Sequence, residues 1–274
     1  MATYTKLSIH ATEEQGEILA AYLADFPFES FDYAEGLFNA YAQQNALTDY
    51  HDEMIQLLEE EGFLDYYFED IEAQNWNAVW ESNFEEVEVK NKVLIRAPFH
   101  DARPDYKGLE VIIQPKMSFG TGHHATTQLM VEMILNSEIE EKRVLDMGSG
   151  TGVLAIVAAK LGAESVLAVE IDDMAEESVR ENIALNDVAS NVTSVCGDAT
   201  AIAGEKFDII LANINRNILM ADMEAYVASL ESNGELILSG FFEEDIPILL
   251  KKAKSLGLKS IEQLSHDEWR AIRV

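Results

Sequence analysis

The sequence predicts an α/β protein, a doubly wound sheet with an antiparallel end, preceded by a small α+β domain. Three observations predict it. From Arg143 onward, apolar strand-like runs alternate with helical ones, the rhythm of a parallel sheet with crossover helices. A glycine cluster, "GSGTG" at Gly148 to Gly152, separates the first of these strands from its helix. The first 72 residues follow a different order, β-α-β-β-α-β.

In the first segment, "YTKLSIHA" alternates like a strand. "TEEQGEILAAYLADF" opens on Thr12, an N-cap residue, and has Ile18, Leu19, Tyr22 and Leu23 at helical spacing. "FESFDYAE" and "GLFNAYAQ" read as strands split by a turn at Glu35-Gly36. "LTDYHDEMIQLLEEEG" reads as a helix with Thr48 or Asp49 as cap and Gly62 as stop, and "LDYYFEDIEA" closes as a strand. This order is that of a ferredoxin-like split βαβ unit over residues 1–72. Residues 73–90 predict a linker helix, with Trp76 and Trp80 four apart on one face.

Residues 91–274 predict the larger domain. "KVLIRAPFH" and "LEVIIQPKMSF" are strands joined by the turn-rich "DARPDYKG". "SFGTGHHATT" then leads into an amphipathic helix bearing Leu129, Met130, Met133 and Ile134. Strand "RVLDMG", helix "VLAIVAAKLGA", strand "SVLAVEID" and helix "MAEESVRENIALND" follow. "VTSVCGDA", "FDIILANI" and "GELILSGF" are three more strands. Helix "EEDIPILLKKAKSLG" and strands "LKSIEQLS" and "WRAIRV" complete the antiparallel end, with Trp269 expected in the core.

Composition narrows the function. Hydrophobic residues make up 48% of the 274, enough for a sizeable core. The start lacks a basic stretch followed by an apolar one, so no signal peptide is expected. No apolar run approaches the roughly 20 residues of a membrane span. Cys196 is the only cysteine, which fits a cytoplasmic protein without disulfides. Without CxxC or HExxH patterns no metal site is expected. Adjacent His123 and His124 point opposite ways on an extended segment, so loop structure or substrate contact is expected of them rather than a metal.

Net charge is −31, and residues 1–90 carry 21 acids against Lys6 and Lys90, a net of −19. Such a surface repels a phosphate backbone and attracts a basic protein. Solubility alone is the other reading of that charge.

The chemistry gathers at the strand ends. Gly148, Gly150 and Gly152 let the backbone turn and approach a ligand, and the next helix offers its N–H groups. A dinucleotide fingerprint needs glycine where Val153 stands, so that pattern fails. Preceded by "VLD", the cluster instead resembles motif I of class I S-adenosylmethionine methyltransferases, which have a Rossmann-like fold. Glu170 ends the second strand, where a carboxylate can accept from ribose hydroxyls. Asp198 follows the third strand, either in a simple turn or at an adenine amino group. Asn213 ends the fourth.

"FGTGHHATT", "VLDMGSGTGVLAIVAAKLGA", "FDIILANI", "WNAVWESNF" and "EWRAIRV" together resemble the ribosomal protein L11 methyltransferase (PrmA) family across nearly the whole chain. The resemblance implies a ferredoxin-like substrate-recognition domain, a linker helix and a class I methyltransferase domain. It implies S-adenosylmethionine as cofactor, S-adenosylhomocysteine as product and no metal. Thr127, Gly148, Gly150, Glu170, Asp198 and Asn213 are the implied cofactor contacts. Glu170 stands where the family usually has Asp, and Ser149 where many members have Cys. The implied substrate is free, basic ribosomal protein L11, methylated on lysine side chains and its N-terminal amine. No nucleic-acid or membrane partner is expected, and the chain is expected to be a monomer.

No general base stands out, and Asn213 is assigned an amine-orienting catalytic role. Two other enzyme readings stay open, methylation of a small molecule or of nucleic acid. "ANIN" is distantly like the Asn-Pro-Pro-aromatic motif of amino-group methylases but lacks both prolines. A non-catalytic ribosome-assembly module that retains cofactor is the reading of a different class.

Overall fold

The computed structural model describes residues 4–24, 26–34, 36–48, 50–71, 84–115 and 120–274. The chain divides into two compact units, Met1–Phe84 and Glu85–Val274.

The first unit holds β1 (Tyr4–His10), α1 (Glu13–Leu23), β2 (Ser30–Ala34), β3 (Leu37–Gln43), a helical turn α2 (Gln44–Leu47), α3 (His51–Glu60) and β4 (Tyr66–Ile71). Its antiparallel sheet has the order β2-β3-β1-β4, which places the first strand inside, as a split βαβ unit requires. Thr12 caps α1 in a capping box with Gln15. The core is Leu7 and Ile9 of β1, Phe38 and Ala40 of β3, and Leu19, Leu23, Met54 and Leu58 of the helices. The expected cap of the second helix is corrected: α3 starts at His51 after Tyr50, with no side-chain cap, and Thr48 follows the separate turn α2. Glu35 and Asp49 lie outside the described residues.

The helix expected over 73–90 falls largely on residues 73–83, which lie outside the described residues, Trp76 and Trp80 among them. Its last part is corrected. Val87–Val89 is a strand, β5, with both valines buried and Glu88 exposed, the period of two that a helix cannot satisfy. It pairs antiparallel with β6 (Val93–Arg96). Lys90 and Asn91 between them both have positive φ, as a primed hairpin turn demands. β7 (Leu109–Ile112) lies parallel to β6.

The second unit continues with α4 (Ala125–Leu135), β8 (Arg143–Met147), α5 (Val153–Lys160), β9 (Ser165–Glu170), α6 (Asp173–Leu185), β10 (Val192–Cys196) and β11 (Phe207–Asn213). Then come α7 (Arg216–Ala228), β12 (Leu230–Phe242), α8 (Ile246–Ser255), β13 (Glu262–His266) and β14 (Trp269–Arg273). The seven strands run in the order β10-β9-β8-β11-β12-β14-β13. All neighbours are parallel except β14, which is antiparallel to β12 and β13. This is the expected doubly wound sheet with its antiparallel end.

Strand alternation explains the continuous apolar runs. Val144, Ala168, Ile209 and Leu211 face the core shared with α4, α5 and α6. Leu145, Met147, Val169, Ile210 and Ala212 face the opposite core, which takes Leu219, Met223 and Tyr226 of α7 and Leu249 of α8. Both faces of the parallel strands are therefore dry. Helix α7 goes beyond the expected elements. Asn215 caps it by accepting from Asn217 N and Ile218 N.

Strand order reverses at β8, which has β9 on one side and β11 on the other. In open α/β sheets the ligand crevice lies there, outside the carboxyl ends of the strands.

Candidate functional site

A cavity of about 410 Å³ opens at that switch point, lined by residues that include Gly148, Gly150, Glu170, Asn213, Ile214, Gly240 and Trp269. Its volume falls among the roughly 300–1,000 Å³ of small-molecule sites.

The chain leaves β8 and turns at once. Gly148 N and Ser149 N both donate to Val169 O, at 2.8 and 3.1 Å, binding the loop to the end of β9. Gly148 has φ +71°, and a Cβ there would strike Ile214 Cγ2. Only glycine serves, because both the conformation and the space exclude a side chain.

Glu170 organises the floor. Its Oε2 accepts from Gly150 N at 2.8 Å, and its Oε1 accepts from Ile171 N at 2.9 Å and Asp172 N at 3.2 Å. The longer arm of Glu lets one carboxylate reach both the glycine loop and the first turn beyond its own strand. Ile171, next to it, lines the cavity and is 73% exposed.

Asn213 ends β11, and its Oδ1 is buried with no hydrogen-bond partner. A buried acceptor without a donor is a costly arrangement, on the order of 1–3 kcal/mol. Thr127 Oγ1 and Ser149 Oγ share that condition. Of these three only Asn213 lines the cavity, where a ligand's N–H or O–H could satisfy its orphaned oxygen. Asp146, fully buried below the loop, accepts from Ala155 N at 3.0 Å with Oδ2 and leaves Oδ1 unpartnered. Burial pushes its carboxyl up to about 7.

Gly148, Gly150, Glu170 and Asn213 are thus brought together at one cavity. Thr127 is fully buried in the first turn of α4, and its neighbour Thr126 lines the cavity instead. Asp198 is not among the lining residues. Its Oδ1 accepts from Thr200 N at 2.8 Å and Thr200 Oγ1 at 2.6 Å, and these bonds hold its carboxyl below the usual range.

Lining residues beyond the expected set include Gly240, Ile218, Trp269 and His124. Gly240 sits so close to the Ile214 peptide that a Cβ would strike its carbonyl oxygen. Ile218 comes from the first turn of α7. Trp269, expected in the core, packs at its edge and also lines the cavity. Its ring lies 4.4 Å from that of Phe242 and 4.8 Å from that of His124. His124 caps α4 by accepting from Thr126 N, and burial holds its pKa below the ordinary imidazole value. His123 turns away, with Nε2 3.0 Å from Glu85 O. Among the described residues no three His, Cys, Asp or Glu form a metal-sized group. No helix among them is long and apolar enough to cross a membrane.

Comparison with known proteins agrees with this geometry. A family model described as "Ribosomal protein L11 methyltransferase (PrmA)" matches residues 3–274. A ribosomal protein L11 methyltransferase of Porphyromonas gingivalis is 47% identical over 94% of this chain and 89% of its own. One from Bacteroides thetaiotaomicron is 38% identical over 98% of both chains. The crystal structure of a ribosomal protein L11 methylase from Lactobacillus delbrueckii subsp. bulgaricus superposes with a TM-score of 0.65 at 28% identity. That match covers 69% of this chain and 97% of the other.

Proposed function

The chain belongs to the ribosomal protein L11 methyltransferase family, and from this premise we propose that it methylates amino groups of ribosomal protein L11. The targets are lysine side chains and the N-terminal amine. The observation that carries the reading is the cavity at the switch point, where the glycine loop, Glu170 and the orphaned Asn213 carbonyl converge.

S-adenosylmethionine, when bound there, supplies a methyl group activated by attachment to a sulfonium sulfur. Gly148 and Gly150 give backbone close enough to approach it, and Glu170 meets its ribose. Thr127, fully buried in the first turn of α4 beside the cavity-lining Thr126, is its proposed contact there, reached once the ligand is seated. Asp198 takes the adenine amino group, supported by the bond from Gly197 N to Glu170 O at 2.8 Å that joins the two strand ends.

The chain must also present a neutral amine. A free lysine with pKa near 10.4 is neutral in only about one molecule in two thousand at pH 7, whereas an α-amine near 7.7–8.0 needs less help. Ile214, Ile218 and Trp269 dehydrate the crevice mouth and so favour the neutral form. Asn213 Oδ1 accepts an amine N–H and turns the lone pair toward the methyl carbon, an orienting role rather than a basic one. The proton released on methylation passes to water.

In this reading residues 1–72 recognise the substrate, 73–90 link, and 91–274 catalyse. Free, basic L11 is drawn to the −19 of residues 1–90, which also disfavours contact with RNA. The enzyme works as a cytoplasmic monomer. Incubation with labelled S-adenosylmethionine, free L11, ribosomal RNA and a metabolite extract tests the substrate. Label on L11 supports the proposal, and label confined to RNA or a metabolite overturns it.

A further inference from the structure

The two glycine loops are joined through one buried side chain. Thr151 is fully buried, and its hydroxyl donates to Gly120 O at 2.6 Å. Its own carbonyl accepts from Asn182 Nδ2 at 2.9 Å. Asn182, equally buried, accepts from Gln114 N at 2.8 Å through Oδ1. Gln114 lies just past β7, and Gly120 lies five residues before α4. Both flanks of this connection are therefore tied to Thr151, one directly and one through the Asn182 amide. One turn further, at the C-cap of α6, Asn186 accepts from Ile112 N at 2.9 Å and donates to Ile112 O at 2.6 Å. The helix is thus fixed along the edge of β7.

Gly120 and Thr151 are fitted to each other. Gly120 has φ +106°, and a Cβ there would stand 2.8 Å from Thr151 Oγ1. The hydroxyl fills the space that glycine leaves.

We infer that Thr151 is a positioning residue for cofactor binding. It holds the Gly120 loop, and with it the His124 and Thr126 wall of the cavity, against the Gly148 loop. The inference rests on the reading of the cavity as the S-adenosylmethionine site. Thr151 is not among the lining residues and acts through the loops on either side of it. With the donor removed, the Gly120 carbonyl is left unsatisfied and the wall must be ordered by the cofactor itself. Ordering on binding subtracts from affinity.

Thr151→Val keeps the shape and removes the donor, and Thr151→Ser restores it. The Val variant is expected to raise Kd for S-adenosylhomocysteine and KM for S-adenosylmethionine about tenfold, with kcat within about twofold. The Ser variant is expected to return both to within about twofold of the parent. Gly120→Ala, which forces the loop off Thr151, is expected to repeat the Val result and decides the matter if the Val variant does not fold. Thermal unfolding of each ligand-free protein accompanies the titrations. Variants that melt earlier but bind S-adenosylhomocysteine like the parent overturn the inference and leave the cofactor reading standing. A parent chain that fails to bind S-adenosylhomocysteine overturns both.

Discussion

The Gly150 amide donates to the Glu170 carboxylate at 2.8 Å, across the 20 residues that separate the first strand's loop from the second strand's end. One bond thereby sets the loop's height and the direction of the acid. Glu170→Ala is expected to raise Kd for S-adenosylhomocysteine by about 10–100-fold, since a charged acceptor of three N–H groups is lost. Glu170→Asp, too short to keep all three bonds, is expected to fall between Ala and the parent. Calorimetric titration reads both. Equal affinity in all three proteins would separate Glu170 from the cofactor.

Gly148 and Ile214 meet across the mouth of the cavity. Gly148→Ala places a methyl group into Ile214 Cγ2 at φ +71°. The expected loss of stability is about 1–3 kcal/mol, accompanied by loss of cofactor binding. Ile214→Ala in the same chain removes the collision but not the backbone strain, so recovery is expected to be partial. Urea unfolding of the two single variants and the double variant measures the coupling. Strict additivity would contradict the contact.

Asp146 couples stability to pH. Its carboxyl rises from 3.8 to about 7 in the folded chain, chiefly through burial and in small part through Glu170. Between those values the folded protein keeps a proton that the unfolded chain has released. Stability therefore falls as pH rises through that window and levels off above it. Asp146→Asn removes the effect. The variant is expected to gain on the order of 1–3 kcal/mol relative to the parent between about pH 5 and about pH 8. Parallel unfolding curves at every pH would show that Asp146 is ionised throughout.

The acidic first third predicts salt-sensitive association. KM for L11 is expected to rise several-fold between about 50 and about 300 mM salt, mainly through a slower on-rate. KM for S-adenosylmethionine is expected to stay level. A flat L11 profile would assign the −19 of residues 1–90 to solubility.

Legibility in the sequence followed the range of the interaction. The glycine loop, the strand-end Glu170 and Asn213, and the Thr12 cap carry local marks (closely spaced glycines, the polar end of an apolar run, a capping threonine), and they read directly. Helix α7 carried a readable signal, the Asn215 cap followed by Leu219, Met223 and Tyr226 on one face. The polar "NRN" at its start resembles a loop and obscures that signal. The hairpin at Lys90-Asn91 has no glycine to mark it, although both residues take positive φ. Gly240 and Trp269 reach the cavity because β12 pairs with β14, setting Phe242 opposite Trp269. That register joins residues 27 apart in sequence, and no local pattern encodes it.

In the proposed reaction the Asn213 amide oxygen orients an amine of L11 for methylation. Intact-mass measurement of L11 is the most direct test, after incubation with S-adenosylmethionine and either the parent chain or Asn213→Ala. Titration with S-adenosylhomocysteine confirms that both are loaded. Whole-methyl increments on L11 are expected with the parent, and a rate about 10²-fold lower with the variant at saturating cofactor. L11 left at its starting mass by the parent, or methylated equally fast by a fully loaded Asn213→Ala chain, would contradict this reading.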